Sequence, residues 1–301
     1  MNTQIIANNP LIRVKNCSSS STNSILRCFS GISLQQLSRF YTVRRAYSRL
    51  QQILQYGDRQ LARVQQEPSL FDGFSVENAV QQMQEQSVAF GLQLPSEMTH
   101  VIHEYALNNP CFEPERSGQF KIGDITNGYL NGHPVFRALV ADLTDCQPIQ
   151  QLTKDPILLQ IASRYLGYYP TLITQHLTFS IASNLPTAEI QKNYPPASFH
   201  YDIAGYNFVT CYFYITQVDL DSGPHVMIAN SHRHKPLSLL LRSGRFSDET
   251  IDRYYQRHRD RHPEIAIVGQ PGYGFFQDPS CVHKVVAPIA QHRLLLQFRY
   301  S

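Results

Sequence analysis

From Tyr169 to its C-terminus the chain is broken into short runs rich in Thr, Ile, Val, Phe and Tyr, each closed by Pro, Gly, Asn or Asp. The runs cover Leu172 to Ile181, Ala197 to Ile203, Phe208 to Val218, His225 to Ile228, Ile265 to Val268, Gly274 to Phe276, Val282 to Val286 and Arg293 to Tyr300. Strands at this spacing have no helices between them to carry parallel crossovers, so they predict an antiparallel sandwich or barrel. One long interruption lies between His234 and Pro263. It predicts a helix capped by Ser247, with Asp248 and Glu249 in its first turn and Arg257, Arg259 and Arg261 near its end. That charge order complements the helix dipole, and the same arginines also suit a role over an anionic substrate.

The preceding stretch, residues 71 to 168, has the periodicity of helices. Ser75 is a cap for a helix carrying Val76, Val80 and Met83 on one face, with Gly91 available to end it. Pro95 and Ser96 open a second helix, whose apolar side holds Met98, Val101, Ile102 and Tyr105. A third is punctuated at both ends, by Asp155 and Pro156 before it and Gly167 after it. Glu97-x-x-His100 on the second helix matches half of a carboxylate di-iron site, but no second copy accompanies it, so it reads as an ordinary i,i+3 surface contact.

Composition matters most at the N-terminus. Residues 1 to 57 contain no Asp or Glu and seven basic residues, Arg13, Lys15, Arg27, Arg39, Arg44, Arg45 and Arg49. The whole chain carries +3, so the remainder is acidic, with 19 basic residues (26 less 7) against 23 acidic. Residues 1 to 33, with the polar patch CSSSSTNS, read as a disordered basic leader. Residues 34 to 70 read as a basic amphipathic helix: Leu37, Phe40, Val43, Tyr47, Leu50 and Leu54 share a face, extended by Leu61 and Val64, and arginines take the others. Such a helix suits packing on the main domain, a second copy of the chain, a membrane surface or an organellar address. No run approaches the ~20 apolar residues of a bilayer span, which predicts no transmembrane segment. The scattered cysteines and the lack of a secretory signal predict free thiols and a cytoplasmic protein, with an organelle as the alternative. An acidic main body without an arginine–aromatic stripe argues against nucleic acid as a partner.

The residues with metal chemistry lie in the strand-rich half. In His200-Tyr201-Asp202, positions i and i+2 of an extended segment project to one face while Tyr201 points away. His283, in the later run CVHKVV, is a third candidate. Two histidines and one carboxylate on one face leave positions open on an octahedral ion, the arrangement of non-haem Fe(II) oxygenases. The same donors also serve zinc in hydrolases. Arg293 follows ten residues after His283 in RLLLQFRY. A buried guanidinium there needs a carboxylate, and a dicarboxylic co-substrate would supply one.

Four ordered segments resemble the phytanoyl-CoA dioxygenase family of Fe(II)- and 2-oxoglutarate-dependent oxygenases. They are FHYD (199–202), VTCYFYITQVDLDSGPHVMIANSHRH (209–234), GQPGYGFFQDPSCVHK (269–284) and APIAQHRLLLQFRY (287–300). The resemblance covers roughly residues 153 to 301. It departs at Ala229-Asn230, where many members place Pro-Gly before Ser-His. It implies a mainly β fold with flanking helices, a double-stranded β-helix (jelly-roll, cupin-like) core over 169–301, and helical support over 71–168 within one domain, 71–301. It implies His200, Asp202 and His283 as Fe(II) ligands, Arg293 as partner of the distal carboxylate of 2-oxoglutarate, and Tyr212 as an aromatic against that co-substrate. The implied reaction consumes 2-oxoglutarate and O2, releases succinate and CO2, and hydroxylates a C–H bond of a small-molecule or lipid-like substrate. Beside it stand two other classes: a non-catalytic barrel that binds a small molecule or partner, and a zinc hydrolase. His225, His232 and His234 read as hydrogen-bonding loop histidines, since two histidines and one carboxylate already complete the set.

Overall fold

The computed structural model describes residues 13–14, 34–55, 68–203, 205–242 and 244–301. In chain order its strands and helices are β1 (Arg13–Val14), α1 (Tyr41–Leu54), α2 (Val76–Gln86), β2 (Val88–Gln93), α3 (Ser96–Asn108), β3 (Cys111–Phe112), β4 (Tyr129–Leu130), β5 (His133–Pro134), β6 (Arg137–Val140), α4 (Gln147–Thr153), α5 (Pro156–Leu166), β7 (Leu172–Ser180), α6 (Thr187–Asn193), β8 (Val209–Tyr214), β9 (His225–Ile228), α7 (Leu237–Leu240), α8 (Asp248–Tyr255), β10 (Glu264–Ile267), β11 (Tyr273–Gln277), β12 (His283–Val285) and β13 (Arg293–Tyr300). The larger sheet runs β2-β11-β8-β13-β7-β6-β3, antiparallel throughout, with β1 added in parallel to β7. A second antiparallel sheet runs β10-β9-β12. The fold is therefore antiparallel sheets with flanking helices.

The two-residue period of a strand decides what each face of the larger sheet does. On β13, Leu294, Leu296, Phe298 and Tyr300 are fully buried with Met83 of α2, Ile102 of α3 and Leu158 and Ile161 of α5. On β8, Val209, Cys211 and Phe213 join them. Each such side chain contributes on the order of 1.5–3 kcal/mol by leaving water. The alternate residues face the smaller sheet: Tyr212 and Tyr214 of β8 and Phe275 of β11 cluster with Met227 of β9 and Ile267 of β10. The face of the larger sheet turned away from the helices, its chamber side, carries Thr174, His176, Thr178 and Ser180 from β7, and Arg293, Leu295, Gln297 and Arg299 from β13.

Gly274 sits where the packing leaves no room for a side chain. A Cβ there would meet Phe213 ring carbons at 2.4 Å and Leu92 Cβ at 3.1 Å, and its backbone is held by β8 on one side and β2 on the other. Gly274→Val is expected to destabilise by about 1–3 kcal/mol, read as a lower denaturation midpoint.

Several local expectations hold. Asp155 accepts from the amides of Ile157 and Leu158, Pro156 is the first helical residue, and Gly167 closes α5 at φ +81°. Ser75 and Ser247 cap α2 and α8 through the amides of Asn78 and Thr250. The described cysteines Cys111, Cys146, Cys211 and Cys281 are free and buried. Among the described residues, no helix is long and apolar enough to cross a membrane.

Three expectations are corrected. The helix expected to run to Gly91 ends at Gln86, where Ser87 takes a left-handed φ of 68°. Residues Val88–Gln93 become an edge strand, and β3 and β6 form the opposite margin, so the stretch 71–168 supplies both edges of the sheet as well as helices. The expected strand Ala197 to Ile203 is only two isolated bridges, Phe199 to Phe246 and His200 to His283. The third correction concerns α1. Its arginines do not all face solvent: Arg44 is 5% exposed, whereas Leu50 and Leu54 are 52% and 68% exposed. An ion pair and aromatic contacts, rather than an apolar stripe, fix this helix on the domain. The extension through Leu61 and Val64 and most of the leader lie outside the described residues.

Candidate metal centre

His200 and His283 are brought together by reciprocal backbone hydrogen bonds, each amide donating to the other's carbonyl at 2.8 Å. The imidazole centroids are 4.4 Å apart. Each ring is fixed from behind: Nδ1 of His200 lies 2.9 Å from the carbonyl of Ser198, and Nδ1 of His283 lies 2.9 Å from that of Cys281. A neutral ring that donates from Nδ1 presents its Nε2 lone pair, the form a metal binds. Asp202 joins them through the i, i+2 relation, its amide donating to the carbonyl of Pro279 at 2.9 Å. Its carboxylate comes to 3.8 Å from His200 Nε2.

One donor atom from each of His200, Asp202 and His283 lies within 4.8 Å of the others, and no other such group of His, Cys, Asp or Glu occurs among the described residues. Burial, and then the neighbouring His283, push His200 well below the ordinary imidazole range, so its ring stays neutral. Two buried imidazoles and one partly exposed carboxylate fit a divalent ion with open positions. Tyr201 points away, its hydroxyl 3.3 Å from the carbonyls of Leu239, Leu240 and Arg242.

Arg293 opens the last strand and is 2% exposed. Its guanidinium donates to the carbonyl of Gly223 and, at 2.8 Å, to Ser180 Oγ, the residue opposite it on β7. Its Nε has no partner, and no carboxylate comes within ion-pair range of it among the described residues. Tyr212 is buried on the same wall, stacked on Phe275 at 5.1 Å between centroids and 5.5 Å from the ring of His225.

His225 stacks on His283 at 5.1 Å and leaves Nε2 buried without a hydrogen bond. It lies beside the ligand set and is not part of it. His232 is buried near Asp278, and His234 packs on His262 at 5.9 Å.

The segment Asp278–His283 carries both the Pro279 carbonyl that fixes Asp202 and the ring of His283. Asp278 anchors it. Arg44 of α1 donates to both carboxylate oxygens at 2.9 and 2.7 Å, and Tyr165 of α5 donates at 2.6 Å. Burial works to raise the Asp278 pKa, but Arg44, His232 and the hydrogen bonds from Tyr165 and Ser280 outweigh it and hold the carboxyl far below its usual range. Lys235 closes the far side by donating to the carbonyls of Ser231 at 3.1 Å and Ser280 at 2.5 Å. Nothing in the sequence marks Arg44, Tyr165 or Ser180 as parts of this site. Only the acidic Asp278 inside the His283 segment hints that a cation must meet it.

No protein-family model matches the sequence, and no curated protein matches it. Solved structures do. The non-haem alpha-ketoglutarate-dependent epimerase SnoN from nogalamycin biosynthesis aligns with a TM-score of 0.51 at 14% identity, over 75% of this chain and 82% of that one. The carbocyclase SnoK from the same biosynthesis gives 0.48 at 16% identity, over 78% and 86%. EctD from S. alaskensis, solved with bound Fe, gives 0.49 at 12%, over 77% and 79%. The likeness to SnoN establishes a shared fold.

Proposed function

We propose that this protein is an Fe(II)- and 2-oxoglutarate-dependent oxygenase of the phytanoyl-CoA dioxygenase type, built on a double-stranded β-helix core, that hydroxylates a C–H bond of a small organic substrate. The observation that carries the reading is one chamber with two complementary features. Two imidazoles, their Nδ1 atoms tied to backbone, converge with a carboxylate on one wall, and a buried arginine without a carboxylate stands on the other. The fold shared with a non-haem alpha-ketoglutarate-dependent enzyme supports it.

In this reading His200, Asp202 and His283 would hold Fe(II), with 2-oxoglutarate and O2 as its co-substrates. Bound there, iron with its co-substrates supplies oxidative decarboxylation to succinate and CO2 and transfer of one oxygen atom to the substrate. Arg293 and Ser180 receive the distal carboxylate, a charge-assisted contact that also answers the guanidinium's lack of a counter-ion. Tyr212 and Phe275 wall the co-substrate from water. Asp202, at the more exposed side, marks the direction from which substrate arrives.

The test is succinate release by the full chain reconstituted anaerobically with Fe(II), then given 2-oxoglutarate and O2, with a mass gain of one oxygen atom in a substrate pool. Turnover with zinc and without O2 would sink the reading in favour of a hydrolase. Arg293→Met is expected to raise KM for 2-oxoglutarate by about 100-fold, the loss of a charged hydrogen-bonded pair worth about 1.5–3 kcal/mol, while Fe(II) still binds.

A further inference from the structure

Arg293 is not alone as a cation inside the chamber. Arg299 lies six positions along β13 and therefore on the same face, between Thr174 of β7 and Thr210 of β8 in register. The intervening residues of the other parity, Leu294, Leu296 and Phe298, are buried among the helices, which fixes this assignment. The Arg299 guanidinium lies 5.0 Å over the ring of Phe208, itself 4% exposed. Its Nε is buried with no hydrogen-bond partner, and none of the ion pairs among the described residues includes it.

Two other arginines with a buried Nε have a carboxylate partner: Arg44 has Asp278, and Arg137 on β6 has Glu115. Among the described residues, Arg299 is paired with none. Thr174 is uncharged and leaves its Oγ1 without a partner. Gln297 and Thr210 are neutral. His176 opposes Gln297 on the same wall, and burial followed by the charges of Arg299 and Arg137 pushes its pKa down to about 4, so it is neutral at physiological pH. Arg299 is half-buried, and its Nε is shut off from water with no acceptor, a cost that an incoming anion would offset.

We infer that the substrate carries a carboxylate and that Arg299, with the hydroxyl of Thr174 beside it, receives that group at the end of the chamber opposite Arg293. This rests on the oxygenase reading for the direction of catalysis, though not for the existence of the anion site. The planar guanidinium fork matches a carboxylate's two oxygens. A single cation with neutral neighbours matches one negative charge, whereas a phosphate dianion would leave a charge unanswered. Position agrees with this role. Tyr212 opposes Gln297, two residues from Arg299, and lies near the ring of His225, which in turn stacks on His283. At ~3.3 Å per residue, Arg293 and Arg299 stand about 20 Å apart. That span holds a short dicarboxylate at one end and leaves the metal facing the body of a second, longer acid.

The test uses the full chain with saturating 2-oxoglutarate and calorimetric titration of matched acids and primary amides: hexanoate and hexanamide, octanoate and octanamide, phenylpropanoate and its amide. Wild type is expected to bind at least one acid ten-fold or more tightly than its amide. Arg299→Gln is expected to remove that preference without lowering the melting temperature, and Arg293→Met to retain it. No acid preference anywhere in the panel, absence of binding included, overturns the inference; so does a preference that survives Arg299→Gln. A preference lost with Arg299 in a protein that never releases succinate would leave the anion site standing and remove the oxygenase reading. Succinate release without any acid preference would do the reverse.

Discussion

Replacing Arg44 by methionine is expected to cost the folded protein about 3–5 kcal/mol, because it strands the Asp278 carboxylate in the interior. The pair is almost wholly removed from water, with side-chain exposures of 6% and 1%, so solvent cannot take over the contact. Asp278→Asn should cost a similar amount by leaving the guanidinium unpaired. The double replacement should recover much of the loss, since neither charge then remains. Denaturant titrations of the four proteins measure this directly. A single-mutant loss below about 1 kcal/mol would mean that water or another group reaches Asp278 and that α1 is only laid on the surface. The same change should loosen the metal centre, because the segment that Asp278 anchors also carries the Pro279 carbonyl and His283. Iron affinity is expected to fall by about 10- to 100-fold, the usual effect of losing a group that orients ligands.

On the proposed oxygenase reading, Asp202→Ala carries the second large effect, and it is the cleanest of the substitutions at the proposed ligands. Removing either histidine also empties a buried site between two hydrogen-bonded segments, so lost activity there is confounded with lost structure. The Asp202 side chain is 31% exposed, with His200 Nε2 as its neighbour at 3.8 Å. Its removal should change stability by no more than about 0.5 kcal/mol. Succinate release should nonetheless drop to the level of iron-free protein, with Fe(II) retained in substoichiometric amounts after desalting. Normal turnover in Asp202→Ala would show that the donor set has been drawn wrongly. Unfolding of that variant would show that the carboxylate is structural.

How much of this was legible before any coordinates depends on the range of the interaction. Helix caps involve neighbours in sequence, so Asp155, Pro156 and Gly167 could be read directly. The relation between His200 and Asp202 is equally local and needs only extended backbone. His283 and Arg293 were recognisable by resemblance; the structure brings His283 beside His200 and buries Arg293 against Gly223 and Ser180. The edge strand Val88–Gln93 was not legible, because a short apolar run after a helix fits either period until a partner is known; that partner is β11. Arg44 lay further still from view. Its ion pair joins residues 234 positions apart, and an arginine on a basic helix looks solvated by every local rule. The apolar periodicity of α1 pointed to a neighbouring face; Tyr47 from it packs on the core, but Leu50 and Leu54 remain in contact with water.

The order of strands in the larger sheet also bears on how the chain is made. The margin formed by β2 leaves the ribosome early, yet its neighbour β11 follows only after β7, β8 and the whole of the smaller sheet except β12. The central strand, β13, is the last of all, and it pairs with β7 and β8 on its two sides. Until it arrives, those two strands have no partner between them and expose backbone capable of pairing with another chain. The nascent sheet must therefore remain unsealed until β13 has been made. Closure of the sheet, burial of its largest apolar rings and delivery of Arg293 and Arg299 to the chamber come as one late event.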